Sequence, residues 1–195
     1  TRGLRVAVEA SGPSGGGDYP SPDLDDGLGR YVRALIVLLH VHHRGEDAIA
    51  WPYLRERMPD APYETLLLQH QIMSDRLDEA EAALETGALR LLHDQLRDID
   101  ARWAEHIALE EDAFSAAATD AALNPQEQEK LTRRIVRHAQ LHSWPPALVV
   151  PFTLYNLEPD DRAAMAAMVP GIVTKVLLPY VWKRAWAPMT PYLLV

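Results

Sequence analysis

His42 and Glu46 stand four residues apart, and His106 and Glu110 repeat that spacing later in the chain. On a helix this interval places both side chains on one face, about one turn from each other. Each Glu is followed by a second acid (Asp47, Glu111) and then by an aromatic residue on the outgoing turn (Trp51, Phe114). His70 falls between the two pairs, with Leu66, Leu67 and Met73 at its helical neighbours. The pattern therefore points three His and two Glu toward faces otherwise built from Leu, Ile, Met and Trp. Ionised carboxylates in such a place cost several kcal/mol each unless a cation compensates. A metal ion compensates directly. Imidazole with carboxylate suits iron, manganese or zinc, and a helical bundle core can hold two such ions with bridging carboxylates. Cys is absent, which excludes disulfides, thiolate zinc sites and Cys nucleophiles.

Spacing alone is weak evidence. With Glu at roughly 1 residue in 15, eight His give about 0.5 such pair by chance, and two pairs arise roughly one time in ten. The stronger signal is that both pairs lie on apolar faces of separate helices. The remaining His divide by position. His43 is one step round from His42 and is an alternative ligand. His40 lies on the far side of that helix, at the surface or between helices. His93, near Arg90 and Asp94, reads as solvated. His138 and His142 sit at a helix end, where the dipole favours a cation without any metal. The Met and Trp residues of the tail read as packing.

The elements that must position these groups are all helical. Thr1–Ala10 reads as a helix end, followed by a flexible connection over Ser11–Asp18 (SGPSGGGD). Ser21-Pro22-Asp23 predicts a helix start with Ser21 as cap. Tyr31, Ala34, Leu35, Leu38, Leu39 and His42 then continue at helical spacing, to about Pro52 or Met58. Asp60 is the expected cap of the next helix, whose inner face is Leu66, Leu67, His70, Met73, Leu77, Ala80 and Leu84. Thr86-Gly87 separates it from a third, with Leu89, Leu92, Leu96, Ile99, Trp103, His106, Glu110 and Phe114 on one face. Asn124-Pro125 caps a further helix to about Leu141, and Trp144-Pro145-Pro146 breaks the chain again. Pro159 opens a short helix to Val169, before an irregular apolar tail. Leu148-Val149-Val150 is too short and too Pro-bounded for a strand. The expected fold is all-α: an up-down four-helix bundle over residues 1–118, with a helical extension over 119–195 packed on it.

The chain has 195 residues, 28 acidic against 19 basic, for a formal net charge of -9. That is one domain, or one domain with an extension. At 48% hydrophobic and 24% charged it carries enough apolar material for a core. The acidic balance argues against nucleic acid as a partner. No secretory signal and no long uninterrupted apolar span are readable. The expectation is a cytoplasmic protein without membrane contact.

His42-His43-x-x-Glu46-Asp47, followed by Trp51-Pro52-x-Leu54, resembles the second-helix motif of the hemerythrin-like, HHE cation-binding family. Ala104-Glu105-His106-Ile107-x-x-Glu110-Glu111-x-x-Phe114 resembles its fourth-helix motif, and Gln69-His70 with Leu77 its third helix. The ferritin-like pattern, Glu-x-x-His, does not occur at these positions. The resemblance covers residues 1–118. It implies a non-haem metal centre, most simply two irons, with His42, His70 and His106 as terminal ligands and Glu46 and Glu110 as bridges. It implies binding or sensing of dioxygen, nitric oxide or peroxide. A di-metal oxidase or catalase-like enzyme, and a helical interaction protein with a structural metal, are the alternatives. Animal hemerythrins have a His where this chain has Ser74, and a His-x-x-x-x-Asp pair where it has His106-x-x-x-Glu110. Both departures argue against reversible oxygen carriage. The family also takes a His from its first helix, whereas no His precedes His40. Thr1-Arg2-Gly3-Leu4-Arg5 resembles the segment just after that ligand. The expectation is a His about one turn upstream of Thr1, checked by the upstream coding sequence; a stretch there without His, combined with full two-metal occupancy, would overturn it.

Overall fold

The computed structural model describes residues 1–12 and 18–195, and the described residues contain helices and no strand. Four segments form the bundle. They are α1 (Arg2–Ser11), a long second helix, α4 (Tyr63–Glu85) and α5 (Leu89–Ala113). The second helix comprises α2 (Gly27–Gly45), a π-helical turn (Glu46–Ala50) and α3 (Trp51–Arg55). Helix α4 packs on α2 and α5, and α1 closes the ring between α5 and α2. Pairing shows the directions. His40 meets Asp78 and Asp47 meets His70, so α2 and α4 run antiparallel; Arg76 meets Asp98 and Gln69 meets His106, so α4 and α5 do too.

The apolar stripes face inward as the sequence spacing requires. Leu28, Tyr31, Val32, Leu35 and Leu39 are buried on α2, Leu66, Met73, Leu77, Ala80 and Leu84 on α4, and Leu92, Leu96, Ile99 and Trp103 on α5. Gly87, with φ at 70°, makes the α4–α5 turn in a conformation costly for other residues. The start of the second helix differs from the sequence expectation. It begins at Gly27 behind Asp26, not at Ser21. The Asp23 carboxylate instead accepts from the backbone N–H groups of Asp25 and Asp26, both at 3.0 Å. This local turn competes with helix. Gly29 then lets the helix pass the turn, since a Cβ there would lie 1.8 Å from the Leu24 carbonyl oxygen. Asp60 is likewise no cap. Pro62 occupies that position, with no side-chain bond to the helix. The connection expected over Ser11–Asp18 falls at 13–17 outside the described residues.

Beyond residue 113 the chain adds α6 (Ala116–Ala122), α7 (Pro125–His142), α8 (Pro146–Tyr155), α9 (Pro159–Ala167), a π-helical segment (Val173–Val181), α10 (Lys183–Trp186) and a 3-10 turn (Ala187–Tyr192). Asn124 and Glu127 cap α7 reciprocally, bonding each other's backbone N–H. Sequence reading missed α6, a single Ala-rich stretch capped by Ser115. These elements bury the outer side of α2. The Phe152 ring meets Tyr31 edge-on at 4.8 Å between centroids, and Tyr192 lies 5.5 Å from the same ring. Asn156 Oδ1 accepts from the Tyr31 hydroxyl at 2.7 Å and from the Arg2 guanidinium, which also donates to the Tyr192 carbonyl at 2.9 Å. In the tail, Trp186 and Met189 are buried as packing, whereas Met165 and Met168 are exposed.

Phe152 thus belongs to one core with Leu4, Tyr31 and Leu35. Phe152→Ala should lower stability by about 3–5 kcal/mol in urea denaturation. A loss under about 1 kcal/mol would show that α8 adds little to the bundle's stability.

Candidate metal centre

His70 and His106 each take a place in the apolar stripe where Leu or Ile would otherwise stand. Leu66 and Met73 flank His70, and Trp103 lies one turn before His106. All are buried. From the facing helix come His42, His43 and Glu46, and from α5 also Glu110. The structure thus brings the five residues singled out by the sequence into two overlapping groups that share His106, and adds His43. His42, Glu46, His106 and Glu110 present ligand atoms within 4.8 Å of one another, and so do His43, His70 and His106. Helix α1 supplies none of these side chains.

The distances are short. His70 Nε2 lies 3.2 Å from His106 Nε2, 3.4 Å from Glu46 Oε2 and 3.9 Å from Glu110 Oε1. Glu46 Oε2 is 3.4 Å from His42 Nε2, and Glu110 Oε1 is 3.4 Å from His106 Nε2. Proximity does not satisfy these atoms. His42 Nε2, both ring nitrogens of His43, Glu46 Oε2 and Glu110 Oε1 are buried without a hydrogen-bond partner. Orphaned polar atoms in an apolar interior are costly, and a convergent set of them is rare. Such a set of N and O donors, gathered in two adjoining groups, fits bound transition-metal cations.

The walls are aromatic. Trp51 stacks on Phe114 at 4.9 Å and lies nearly parallel to His70 at 6.0 Å, with Tyr63 packed against both aromatic rings. Trp103 borders His42 and His106 at 5.5 and 5.8 Å. His43 stacks on His70 at 4.3 Å, so His70 is held between His43 and Trp51. Burial pushes Glu46, Glu110, His42, His43 and His106 toward their neutral forms. Glu46 rises to about 9 through desolvation, helped by the charges of Glu110 and Asp47. Desolvation likewise lifts Glu110, to about 7, against the opposing effect of His70. His42 and His106 fall to about 4, by desolvation first and by the nearby His70 second. His43 falls further for the same reasons.

The family model for the hemerythrin HHE cation-binding domain matches residues 3–118. The chain belongs to that family. Neither a curated protein nor a solved structure matches it. Membership in a cation-binding family and the His/Glu group together make this a metal-binding domain.

Sequence reading gave no role to two side chains that the structure places against the centre. Asp47 Oδ1 lies 2.7 Å from His70 Nδ1, and Gln69 Oε1 lies 3.0 Å from His106 Nδ1. The only sequence signal was adjacency, Asp47 beside Glu46 and Gln69 beside His70. The other His settle as follows. His40 is interhelical, 3.3 Å from Asp78. His93 is not solvated as expected; it is half-buried against α1, with Nδ1 3.1 Å from both the Ser11 hydroxyl and the Val8 carbonyl. His138 and His142 stack on each other at 4.1 Å, and the His142 ring bonds the His138 carbonyl at 2.8 Å.

These shifts set a pH profile for the metal-free protein. Between about 6.5 and 9, folded Glu46 holds a proton that the unfolded chain releases, so stability falls as pH rises. Below about 6.5 the imidazoles act oppositely: unfolded His bind protons that folded His42, His43 and His106 refuse, so stability rises with pH. The melting temperature of chelator-treated protein should therefore peak near neutrality and decline toward pH 9, with Glu46→Gln removing most of the alkaline decline. Equal declines in both proteins would show that Glu46 is not held neutral.

Proposed function

We propose that the centre holds two iron ions and that the protein binds or senses a small diatomic molecule or peroxide. The observation that supports this most directly is the set of buried imidazole nitrogens and carboxylate oxygens with no partner in the protein. His42, His70 and His106 would be the terminal donors, Glu46 and Glu110 the bridges, and His43 a further donor beside His70. Iron there supplies open coordination positions and a change of redox state to dioxygen, nitric oxide or peroxide. The chain's own contribution is to keep the His42 and His106 imidazoles neutral, to let Glu46 ionise only when a cation is present, and to fix the donors' directions among aromatic rings. Trp51, Phe114 and Tyr63 close one end of the site, and Trp103 lies along the other. Manganese or zinc would suit the same donors but differ in redox behaviour. Among the described residues no helix is long and apolar enough to cross a membrane.

Anaerobic loading of metal-free protein with Fe(II) should give two ions per chain. Glu46→Ala and Glu110→Ala should each lose at least one of them, and the loaded wild type should melt higher than the metal-free form. Unchanged metal content in both variants would overturn the ligand assignment. Exposure of the loaded protein to dioxygen, nitric oxide or peroxide then separates the functions. A stable optical change supports binding or sensing, whereas continued turnover assigns a di-metal oxidase or catalase-like enzyme instead. A centre inert to all three would be structural.

A further inference from the structure

Asp47 and Gln69 each face the outer nitrogen of an imidazole whose inner nitrogen points into the centre. Asp47 Oδ1 lies 2.7 Å from His70 Nδ1, and Gln69 Oε1 lies 3.0 Å from His106 Nδ1. A carboxylate oxygen and an amide oxygen are acceptors, so each bond requires the proton on Nδ1. Both Nε2 atoms are then bare. They face each other at 3.2 Å, with Glu46 Oε2 3.4 Å from one and Glu110 Oε1 3.4 Å from the other. Two bare lone pairs at that distance, beside two carboxyl oxygens, repel unless a cation or a carboxyl proton lies among them. We infer that Asp47 and Gln69 are positioning residues that hold His70 and His106 in the metal-ready tautomer, and that they make the two imidazoles unequal donors. The inference rests on the metal-centre reading proposed above.

The backbone explains how one helix reaches both sides of a ring on another. The π-turn closes with the Trp51 N–H bonded to the Glu46 carbonyl, five residues back. In that wider turn the adjacent carboxyls of Glu46 and Asp47 bracket a single imidazole, Glu46 at Nε2 and Asp47 at Nδ1. On a regular helix, adjacent residues diverge by about 100°. Here the π-turn supplies an inner carboxylate and an outer one from neighbouring positions. Such turns recur at functional sites for this kind of reason. His43 and Trp51 hold the same ring from its two faces, so His70 is constrained in direction as well as in protonation. The partners differ in charge. A carboxylate on Nδ1–H raises the basicity of the opposite nitrogen more than an amide does, which makes His70 the stronger donor of the pair.

Long-range proton–nitrogen NMR of the metal-free protein, in mildly alkaline buffer, reads the tautomers directly. His70 and His106 should both carry the proton on Nδ1, and Asp47→Ala and Gln69→Ala should each release only the ring they touch. Equilibrium binding of Co(II), by chelator competition and visible spectrum, reads the consequence. Asp47→Ala should weaken affinity about 10–100-fold and alter the ligand-field bands, Asp47→Asn should fall between, and Gln69→Glu should bind more tightly than wild type. The metal-free melting temperature should change little in Asp47→Asn, which separates positioning from a general structural role. A wild-type His70 protonated on Nε2, or an Asp47→Ala protein with Co(II) affinity within about twofold of wild type, would overturn the inference. The tautomer result needs no metal. A wild-type protein that takes up no Co(II) overturns the metal-centre reading itself, and with it the purpose assigned to both residues.

Discussion

Everything in this bundle is arranged around a polar layer that the apolar core cannot satisfy. Four imidazoles and two carboxyl groups converge at one level of the bundle, and inner atoms of His42, His43, Glu46 and Glu110 are orphaned there. Burial holds Glu46, His42, His43 and His106 neutral, with the carboxyl far above its usual range and the imidazoles far below theirs. An apolar bundle has no reason to keep such a layer, since hydrophobic residues of similar volume would be at least as stable. A cation reverses the balance by compensating both kinds of donor at once. Without a cation the layer costs stability that the rest of the core must supply.

The layer also divides the core. On α2, α4 and α5 the stripe passes from one apolar cluster through the polar level into another. Leu39, Met73 and Trp103 belong to the larger cluster; Ala50, Leu66 and Phe114 belong with the smaller one. His42 and His43, His70, and His106 with Glu110 stand between. The two clusters act as end walls, fixing the helix spacing so that the donors need not pull the bundle together. The π-turn occurs where α2 crosses from the layer to the smaller cluster. Its widened backbone turns Glu46 and Asp47 to opposite nitrogens of His70 while Trp51 still reaches the aromatic stack.

Much of this was legible in the chain. The His-x-x-x-Glu pairs lie on regular helical stripes, and those stripes report both the helix and its inward face. What was not legible has identifiable causes. A π-turn inserts a step that leaves the apolar spacing on either side intact, so nothing in the pattern from Leu39 to Leu54 discloses it. The start of α2 was misplaced because Ser21-Pro22-Asp23 has the residue types of a cap, while Asp23 spends its carboxylate on a preceding turn. His93 looked solvated because its chain neighbours are charged; its burial comes from Ser11 and Val8, distant in sequence. Asp47 and Gln69 carried no assigned role because an orienting bond joins two helices, and spacing along one helix holds no record of it.

The segment beyond the family match explains how a core with an unsatisfied layer remains stable. Within residues 3–118, α2 turns Leu28, Tyr31, Val32 and Leu35 inward, yet Tyr31 finds its ring partners in Phe152 and Tyr192. Asn156 joins α1 to α2 by accepting from Arg2 and Tyr31 together. At the other end, Leu123 and Leu131 complete the smaller cluster around Trp51 and Leu66, and α7 lies against the π-turn itself. His138 passes within 3.5 Å of where a Cβ on Gly45 would stand, just before that turn. A Cβ at Gly45 would sit in ordinary contact with α7, beside the point where Glu46 and Asp47 leave the helix. The extension therefore adds apolar burial at both clusters and, through α7, covers the π-turn beside the layer. Stability gained at the two ends is what lets the middle hold groups that repel one another until a cation arrives.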